Sequence, residues 1–349
     1  MSEQTTQHTM DRRGFMKTGA AAAVAGAVIT TASGKQVRAE DLDYRNYQPE
    51  KMKYTRLGRT NLMCSTLTFG CGAALMGGKA TRLLDRAFEQ GVNHFDVGTT
   101  VYYKGSEKEL APFLKANRKD VWVTSKAFAR NGTGTQEGVK YTKELAQQDA
   151  TYWTELLEGS LSDLDVEYID AYYLMGVGDP DCVKNEEMHN AFLKAKDAGK
   201  IGHYGISTHK RAGACLEAAI ECGWHSLAMI AITPGGWYDW DSKQLLGDTP
   251  PMTDLKPLIA KARAADIGLV GMKAARFIAP GTALGKGDEA AFDKHYSDAY
   301  IKSGLSAFQR SYAYCLANGM DTVNSDMQNF KHFEENLVAA RDYEKHYVA

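Results

Sequence analysis

Several features that would define a protein class at once are missing from this chain. Its six cysteines form no C-x-x-C pair, so we expect neither a zinc ribbon, nor an iron–sulfur cluster, nor any other metal site. No run of basic residues occurs and the formal net charge is −2, which argues against nucleic acid or an anionic membrane surface as a partner. With 44% hydrophobic and 24% charged residues, the composition is that of a soluble globular protein.

A long apolar run is also missing from the N-terminal region. The uncharged stretch 18–34 is shorter than the ~20 residues that span a bilayer, and it is mostly Ala, Gly and Thr. The paired Arg12 and Arg13 precede it and Val37-Arg38-Ala39 follows, which resembles a twin-arginine export signal. We therefore expect residues 1–39 to be a signal peptide and the twin-arginine export machinery to be a partner. The mature protein would be periplasmic or otherwise exported, without a stable membrane anchor.

From Lys53 onward, strand-like and helix-like stretches alternate. A hairpin is predicted over residues 53–64, and eight strand candidates follow, at residues 66–70, 94–97, 121–125, 168–174, 203–207, 227–232, 268–271 and 322–325. Eight helix-like segments separate and follow these strands. The alternation predicts a (β/α)8 TIM barrel, preceded by a short β-hairpin, as a single domain over residues 40–349. An open doubly wound sheet is the alternative, but residues 68–72 lack the G-x-G-x-x-G spacing that it would need.

Two neighbouring strand candidates each deliver an ionisable residue at or near their carboxyl ends. Asp96 belongs to the strand at 94–97, Lys126 comes directly after the strand at 121–125, and Tyr102 and Tyr103 follow Asp96 in a loop. Because the carboxyl ends of parallel strands meet at one face of a barrel, a carboxylate, an ammonium and a phenol could meet there. Such a set could transfer protons.

Several motifs occur in one order along the mature chain. They are Y-T-R-L-G-R-T at 54–60, S-E at 106–107, V-T-S-K at 123–126, Y-I-D-A-Y-Y-L at 168–174, G-K-I-G-H-Y-G-I-S at 199–207, G-M-K at 271–273 and F-E-E-N at 333–336. Together they resemble the aldo-keto reductases, a TIM-barrel family that uses nicotinamide cofactors. The resemblance implies an oxidoreductase that transfers hydride between NAD(P) and a small carbonyl or alcohol compound, for which a sugar-like substrate is one option.

The resemblance also implies four catalytic groups: a tyrosine, a lysine that lowers its pKa, an aspartate that holds the lysine, and a histidine. Asp96 and Lys126 match the aspartate and the lysine. An ungapped count places the tyrosine at Val101, so Tyr102 is the preferred proton donor and Tyr103 is the alternative.

Met175 stands where the family places its histidine, and a thioether cannot donate a hydrogen bond. His209, just past the fifth strand, could partly replace that donor. Farther along, Trp237 and Tyr238 in an aromatic loop are candidate substrate contacts, because aromatic rings can stack on cyclic polyols.

The resemblance implies the cofactor contacts as well. They are Ser207, Lys273, Ser325, Gln328, Glu335 and Asn336. Gln328 replaces an arginine that many members use for the 2′-phosphate, and Asp326 adds a carboxylate, which suits a ribose hydroxyl better than a phosphate. The cofactor is thus NAD or NADP, with NAD favoured.

A different class of function stays open. The methionine at the histidine position and the displaced tyrosine are also what a barrel that has lost its chemistry would show. Such a barrel would act as a binding or interaction protein.

Overall fold

The computed structural model of the chain describes residues 28–32, 34–131, 140–279 and 287–347. Arg12, Arg13 and most of the expected signal peptide lie outside the described residues. The described part begins with two short antiparallel strands, Val28–Thr30 and Gln36–Arg38. Within the described residues, no helix combines the length and the apolar character needed to cross a membrane.

The core of the molecule is a closed parallel barrel whose strands we number β1 to β8. Their bounds are β1 Leu67–Gly70, β2 His94–Asp96, β3 Trp122–Phe128, β4 Ile169–Met175, β5 Ile201–Thr208, β6 Leu227–Thr233, β7 Gly268–Met272 and β8 Thr322–Ser325. Each strand pairs in parallel with the next, and β8 pairs with β1, which closes the barrel. The (β/α)8 prediction is confirmed.

In the described ranges, eight longer helices surround the strands, and we number them α1 to α8. They are α1 Thr81–Glu89, α2 Ser106–Asn117, α3 Lys143–Leu164, α4 Glu186–Asp197, α5 Ala212–Cys222, α6 Lys256–Ala264, α7 Ala307–Ala317 and α8 Phe330–His346. A capping box of Ser306 and Gln309 starts α7.

The predicted hairpin is present as Tyr54–Arg56 and Met63–Ser65, and it lies at the amino-terminal end of the barrel. Leu57 and Leu62 are fully buried there, in one apolar cluster with Leu227 of β6. A Cβ atom on Gly58 would lie 2.2 Å from the backbone nitrogen of Gly268, so only glycine allows this approach.

The residues that reach the other end of the barrel follow from the alternation of side chains along each strand. On β3 the side chain of Lys126 lies inside the barrel with Asp96, whereas Ser125 bonds Glu107 of α2 outside it. The strand continues to Phe128, beyond the predicted end at residue 125. The carboxyl ends of β2, β3 and β8 therefore carry the polar side chains of the candidate site.

Candidate active site

Asp96 and Lys126 form an ion pair at the carboxyl end of the barrel. Lys126 Nζ lies 2.6 Å from Asp96 Oδ2, and both side chains are buried. The ammonium also donates to the backbone carbonyl of Val97. The register explains the meeting, because Asp96 pairs with Thr124 and Lys126 lies two residues farther along the same strand. The structure thus brings together the two residues that the sequence singled out first.

Two further side chains hold the Asp96 carboxylate, and the sequence reading missed both. Thr124 Oγ1 donates to Asp96 Oδ1 at 2.9 Å, and Asn324 Nδ2 at the end of β8 donates to Oδ2 at 2.7 Å. With the Lys126 bond, both carboxylate oxygens have donors. A carboxylate that accepts three hydrogen bonds is a fixed anion, well suited to orienting the lysine.

Of the two candidate tyrosines, Tyr103 is the one that lies against Lys126. The ammonium nitrogen is 5.7 Å from the centre of the Tyr103 ring. Tyr102 is 41% exposed, and its ring packs edge-on against Tyr103 and Phe128. Residues Thr100–Tyr103 form one helical turn, which directs these consecutive side chains differently. The geometry favours the alternative tyrosine over the preferred one.

The Tyr103 ring fits between two glycines. A Cβ atom on Gly72 would lie 2.6 Å from Tyr103 Cε1, and one on Gly98 would lie 2.8 Å from Cε2. Burial, followed by the charges of Asp326 and Asp96, raises the pKa of Tyr103 well above its ordinary value. The phenol is therefore protonated near neutral pH, which is the form that can donate a proton.

Glu107 anchors the loop that carries Tyr103. Its Oε1 accepts from Ser125 Oγ at 2.6 Å and its Oε2 accepts from the backbone N–H of Thr100 at 3.2 Å. The Ser106 hydroxyl lies 2.8 Å from the carbonyl of Tyr103 itself. These bonds connect the loop that carries Tyr103 to β3, next to Lys126. They give the S-E motif at residues 106–107 a structural role.

Met175 and Ser207 lie side by side at the ends of β4 and β5, and Ser207 pairs with Met229 of β6. Met229 Sδ lies 3.7 Å from Asn324 Nδ2 across the barrel, so this row of side chains faces the interior. The Ser207 hydroxyl is buried and has no hydrogen-bond partner within the described residues. A buried hydroxyl without a partner is costly and suits a polar group of a bound molecule.

Trp240, which the sequence reading did not select, lies among positive charges. Its ring centre is 3.6 Å from Lys243 Nζ, 4.7 Å from Lys273 Nζ and 5.3 Å from Arg276 Cζ. The His209 ring lies 5.6 Å away. His209 therefore lies near these charges, at the end of the barrel that holds Lys126.

His209 is held in its neutral form. Burial lowers its pKa well below the ordinary value, and the nearby charges of Lys273 and Lys126 lower it further. A neutral imidazole has one N–H donor, which Met175 lacks.

Lys273 and Arg276 carry charges that no carboxylate pairs within the described residues. Lys273 directly follows β7 and has a backbone φ of +72°. Burial, with the neighbouring charge of Arg276, lowers the pKa of Lys273 to about 8. Two unpaired cations brought together at a barrel mouth form a site for an anionic group such as a phosphate.

Two of the proposed substrate contacts are not open to a ligand. Trp237 is 6% exposed and Tyr238 is 1% exposed, because Gly236–Asp239 forms a strand that folds back on β6. Trp237 packs in the core, and Tyr238 packs against Phe277. Trp240, four residues past Gly236, is partly exposed.

Buried polar side chains of α7, β8 and α8 bond to one another. Asn336 Nδ2 donates to Ser325 Oγ at 2.9 Å, and the Tyr312 hydroxyl lies 2.9 Å from the same oxygen. Gln328 is exposed and Glu335 is partly exposed near the start of α8. The structure therefore places these two at an accessible helix start, whereas Ser325 and Asn336 are buried beneath it.

All six cysteines are free thiols, and five of them are buried. Across the ranges that the structure describes, no group of three His, Cys, Asp or Glu side chains is arranged to hold a metal ion.

Comparison with known proteins gives matches to parts of the chain. Residues 68–232 match the aldo/keto reductase family model. The uncharacterized oxidoreductase YqkF of Bacillus subtilis is 32% identical over 159 residues, which are 45% of this chain and 49% of YqkF. A probable voltage-gated potassium channel subunit beta of Oryza sativa is 34% identical over 130 residues, 35% of this chain and 37% of that protein. The chain thus matches about half or less of the length of these relatives.

Solved structures share the whole barrel. An aldo-keto reductase of Bacillus halodurans, solved in its holo form, superposes with a TM-score of 0.59 at 21% identity, covering 85% of this chain and 97% of that one. At this identity the likeness establishes the fold. The family model matches residues 68–232, whereas the likeness to the solved structures extends over the whole barrel.

Proposed function

We propose that the protein is a nicotinamide-dependent oxidoreductase that interconverts a carbonyl compound and its alcohol. The observation that carries the proposal is the contact of Tyr103 with the buried Asp96–Lys126 pair at the carboxyl end of the barrel. A protonated phenol beside a fixed ammonium can donate a proton to an oxygen and be stabilised afterwards as phenolate.

The residues present fit a nicotinamide dinucleotide. The partnerless hydroxyl of Ser207 suits the carboxamide of the nicotinamide, and the unpaired charges of Lys273 and Arg276 suit the diphosphate. Glu335 and Gln328 at the start of α8 would face the adenosine part. We propose that NADH is preferred to NADPH, because the exposed Asp326 beside Gln328 suits a ribose hydroxyl better than a 2′-phosphate.

When bound, the reduced nicotinamide supplies hydride to the carbonyl carbon. Tyr103 then gives its hydroxyl proton to the carbonyl oxygen, which completes the alcohol, and takes a proton back from solvent. Lys126 stabilises the phenolate that forms, and Asp96 holds Lys126 in place. His209, as a neutral imidazole, supplies the hydrogen bond to the carbonyl oxygen that Met175 cannot.

We further propose that residues 1–39 direct export of the folded protein. The support is the Arg12-Arg13 pair ahead of an uncharged stretch. An exported reductase that holds its dinucleotide tightly could carry it along in the folded state.

A titration of the purified mature protein with NADH and NADPH, followed by nucleotide fluorescence, tests the function. We expect saturable binding, tighter for NADH, and turnover on a panel of aldehydes, ketones and sugars. Lys273→Met should weaken binding, whereas Lys256→Met, on the outer helix α6, should not. Binding without turnover would favour the alternative, a barrel that binds without chemistry. Absence of binding by both nucleotides, with no nucleotide released on denaturation, would rule the proposal out.

A further inference from the structure

A chain of buried hydrogen bonds lies inside the barrel beneath Asp96. Thr124 Oγ1 lies 2.9 Å from Asp96 Oδ1 and 3.0 Å from His94 Nε2. On the other side of the ring, His94 Nδ1 lies 3.0 Å from Thr68 Oγ1, which lies 2.9 Å from Thr322 Oγ1. His94 and the three threonines are completely buried, so bulk water does not compete for these bonds.

The carboxylate determines the direction of the bonds. A carboxylate paired with the Lys126 ammonium only accepts, so the Thr124 hydroxyl donates its single hydrogen to Asp96. The same hydroxyl must then accept from His94 Nε2, which therefore carries a hydrogen. Burial lowers the pKa of His94 to about 4, so the ring is neutral near pH 7 and its Nδ1 is an acceptor. Thr68 donates to that nitrogen.

We propose that His94, held as its Nε2–H tautomer, is a positioning residue that orients the Asp96 carboxylate through Thr124. Thr124 supplies the hydrogen bond to Oδ1, whereas Lys126 and Asn324 both bond Oδ2. Without the His94 donor, the Thr124 hydroxyl is free to rotate, and Oδ1 loses its fixed partner. Asp96 and the attached ammonium of Lys126 then lose their orientation toward Tyr103.

The tautomer is measured without reference to activity. Two-bond proton–nitrogen NMR of the protein labelled with 15N-histidine resolves the two ring nitrogens of each histidine, and the signal missing in His94→Gln identifies His94. We expect a neutral ring protonated at Nε2 between about pH 6 and 8, in line with its lowered pKa. A charged ring, or one protonated at Nδ1, overturns the proposal. This result stands even if the protein proves to reduce no carbonyl compound.

The catalytic consequence rests on the proposed function and is tested by variants. His94→Leu removes the donor at similar volume, whereas His94→Gln keeps an amide N–H that can reach Thr124. We expect His94→Leu to lower kcat about tenfold, because the Thr124 hydroxyl that bonds the charged Asp96 is no longer held in place, with the nucleotide Kd unchanged. His94→Gln should restore most of the kcat.

The neighbouring residue supplies the control for a merely structural effect. Phe95 faces the helices and packs against Phe69 and Phe113, outside the hydrogen-bond chain. Phe95→Leu should lower the Tm and leave kcat within about twofold, because it perturbs packing only. Equal kcat losses in Phe95→Leu and His94→Leu, or no recovery in His94→Gln, would assign His94 to the core alone and contradict the proposal.

Discussion

Lys126 Nζ lies 2.6 Å from Asp96 Oδ2, and each of the two side chains is only 4% exposed. Burying two charges together is costly unless their geometry and their other hydrogen bonds are good. Here Thr124 and Asn324 provide the additional bonds to the carboxylate. The pair thus forms a rigid base for the Tyr103 ring that lies against it.

Breaking this pair on one side should destabilise the fold. In Lys126→Met the Asp96 charge stays buried without its ammonium, and we expect a loss of about 3–5 kcal/mol in the free energy of unfolding. Urea unfolding measures this loss. The double variant Asp96→Asn/Lys126→Met should recover part of it, because no net charge remains buried. A single variant as stable as the wild type would mean that the pair is not buried in solution.

Space for the Tyr103 ring should depend on Gly72. Its alanine variant would place a Cβ atom 2.6 Å from Tyr103 Cε1, which forces the ring to move. We expect Gly72→Ala to lower kcat by up to about a hundredfold, since misplacement of a reacting group by ~1 Å has such effects. Gly159→Ala is the matched control, because nothing lies within 4 Å of its added Cβ in the exposed part of α3. If both variants keep full activity, the ring does not depend on this contact.

Nucleotide binding should depend on pH through Lys273. Its pKa of about 8 is lower than the ordinary value because of burial and Arg276, while Asp326 opposes the shift and Lys126 adds to it. The charged form that attracts a diphosphate is present below that pH and is lost as the pH rises through it. We expect binding to weaken above about pH 8 and to take up protons near that pH. Isothermal titration calorimetry in buffers of different ionisation enthalpy measures the uptake.

Lys273→Met should abolish that proton uptake, whereas Lys256→Met should retain it. An unchanged pH profile in Lys273→Met would exclude this lysine from the anion site.

Export should require the paired arginines. Replacing Arg12 and Arg13 with Lys keeps the charge but removes the motif that twin-arginine export recognises. We expect the variant to stay in the cytoplasm of a bacterial host and the wild type to reach the periplasm. Cell fractionation followed by immunoblotting measures the distribution. Equal export of both forms would contradict the signal-peptide prediction.

The sequence predicted the barrel well because its strands are apolar runs separated by long helical stretches. It also predicted that Asp96 and Lys126 meet, since both come at the ends of adjacent parallel strands. Counting residues could not choose between Tyr102 and Tyr103, because a helical turn at Thr100–Tyr103 decides which ring faces inward. Only the folded loop contains that information.

Other parts of the site depend on contacts that are remote in sequence. Asn324 bonds Asp96, although the two residues are 228 positions apart in the sequence. They come together because β8 pairs with β1 and closes the barrel. Trp237 and Tyr238 are buried because their segment pairs with β6, which the aromatic composition of the loop does not indicate. The sequence alone could have indicated His94, because side chains alternate along β2 and His94 therefore lies on the same face as Asp96.

Comparison of Tyr103→Phe with Tyr102→Phe tests the central claim most directly. Both substitutions remove one hydroxyl from adjacent residues, and the measured quantities are kcat on a reducible carbonyl compound and the nucleotide Kd. We predict that Tyr103→Phe lowers kcat by about a hundredfold or more, as loss of a general acid does, and leaves the Kd unchanged. Tyr102→Phe should retain nearly full kcat. Equal turnover in the two variants, or the larger loss in Tyr102→Phe, would contradict the assignment of Tyr103 as the proton donor.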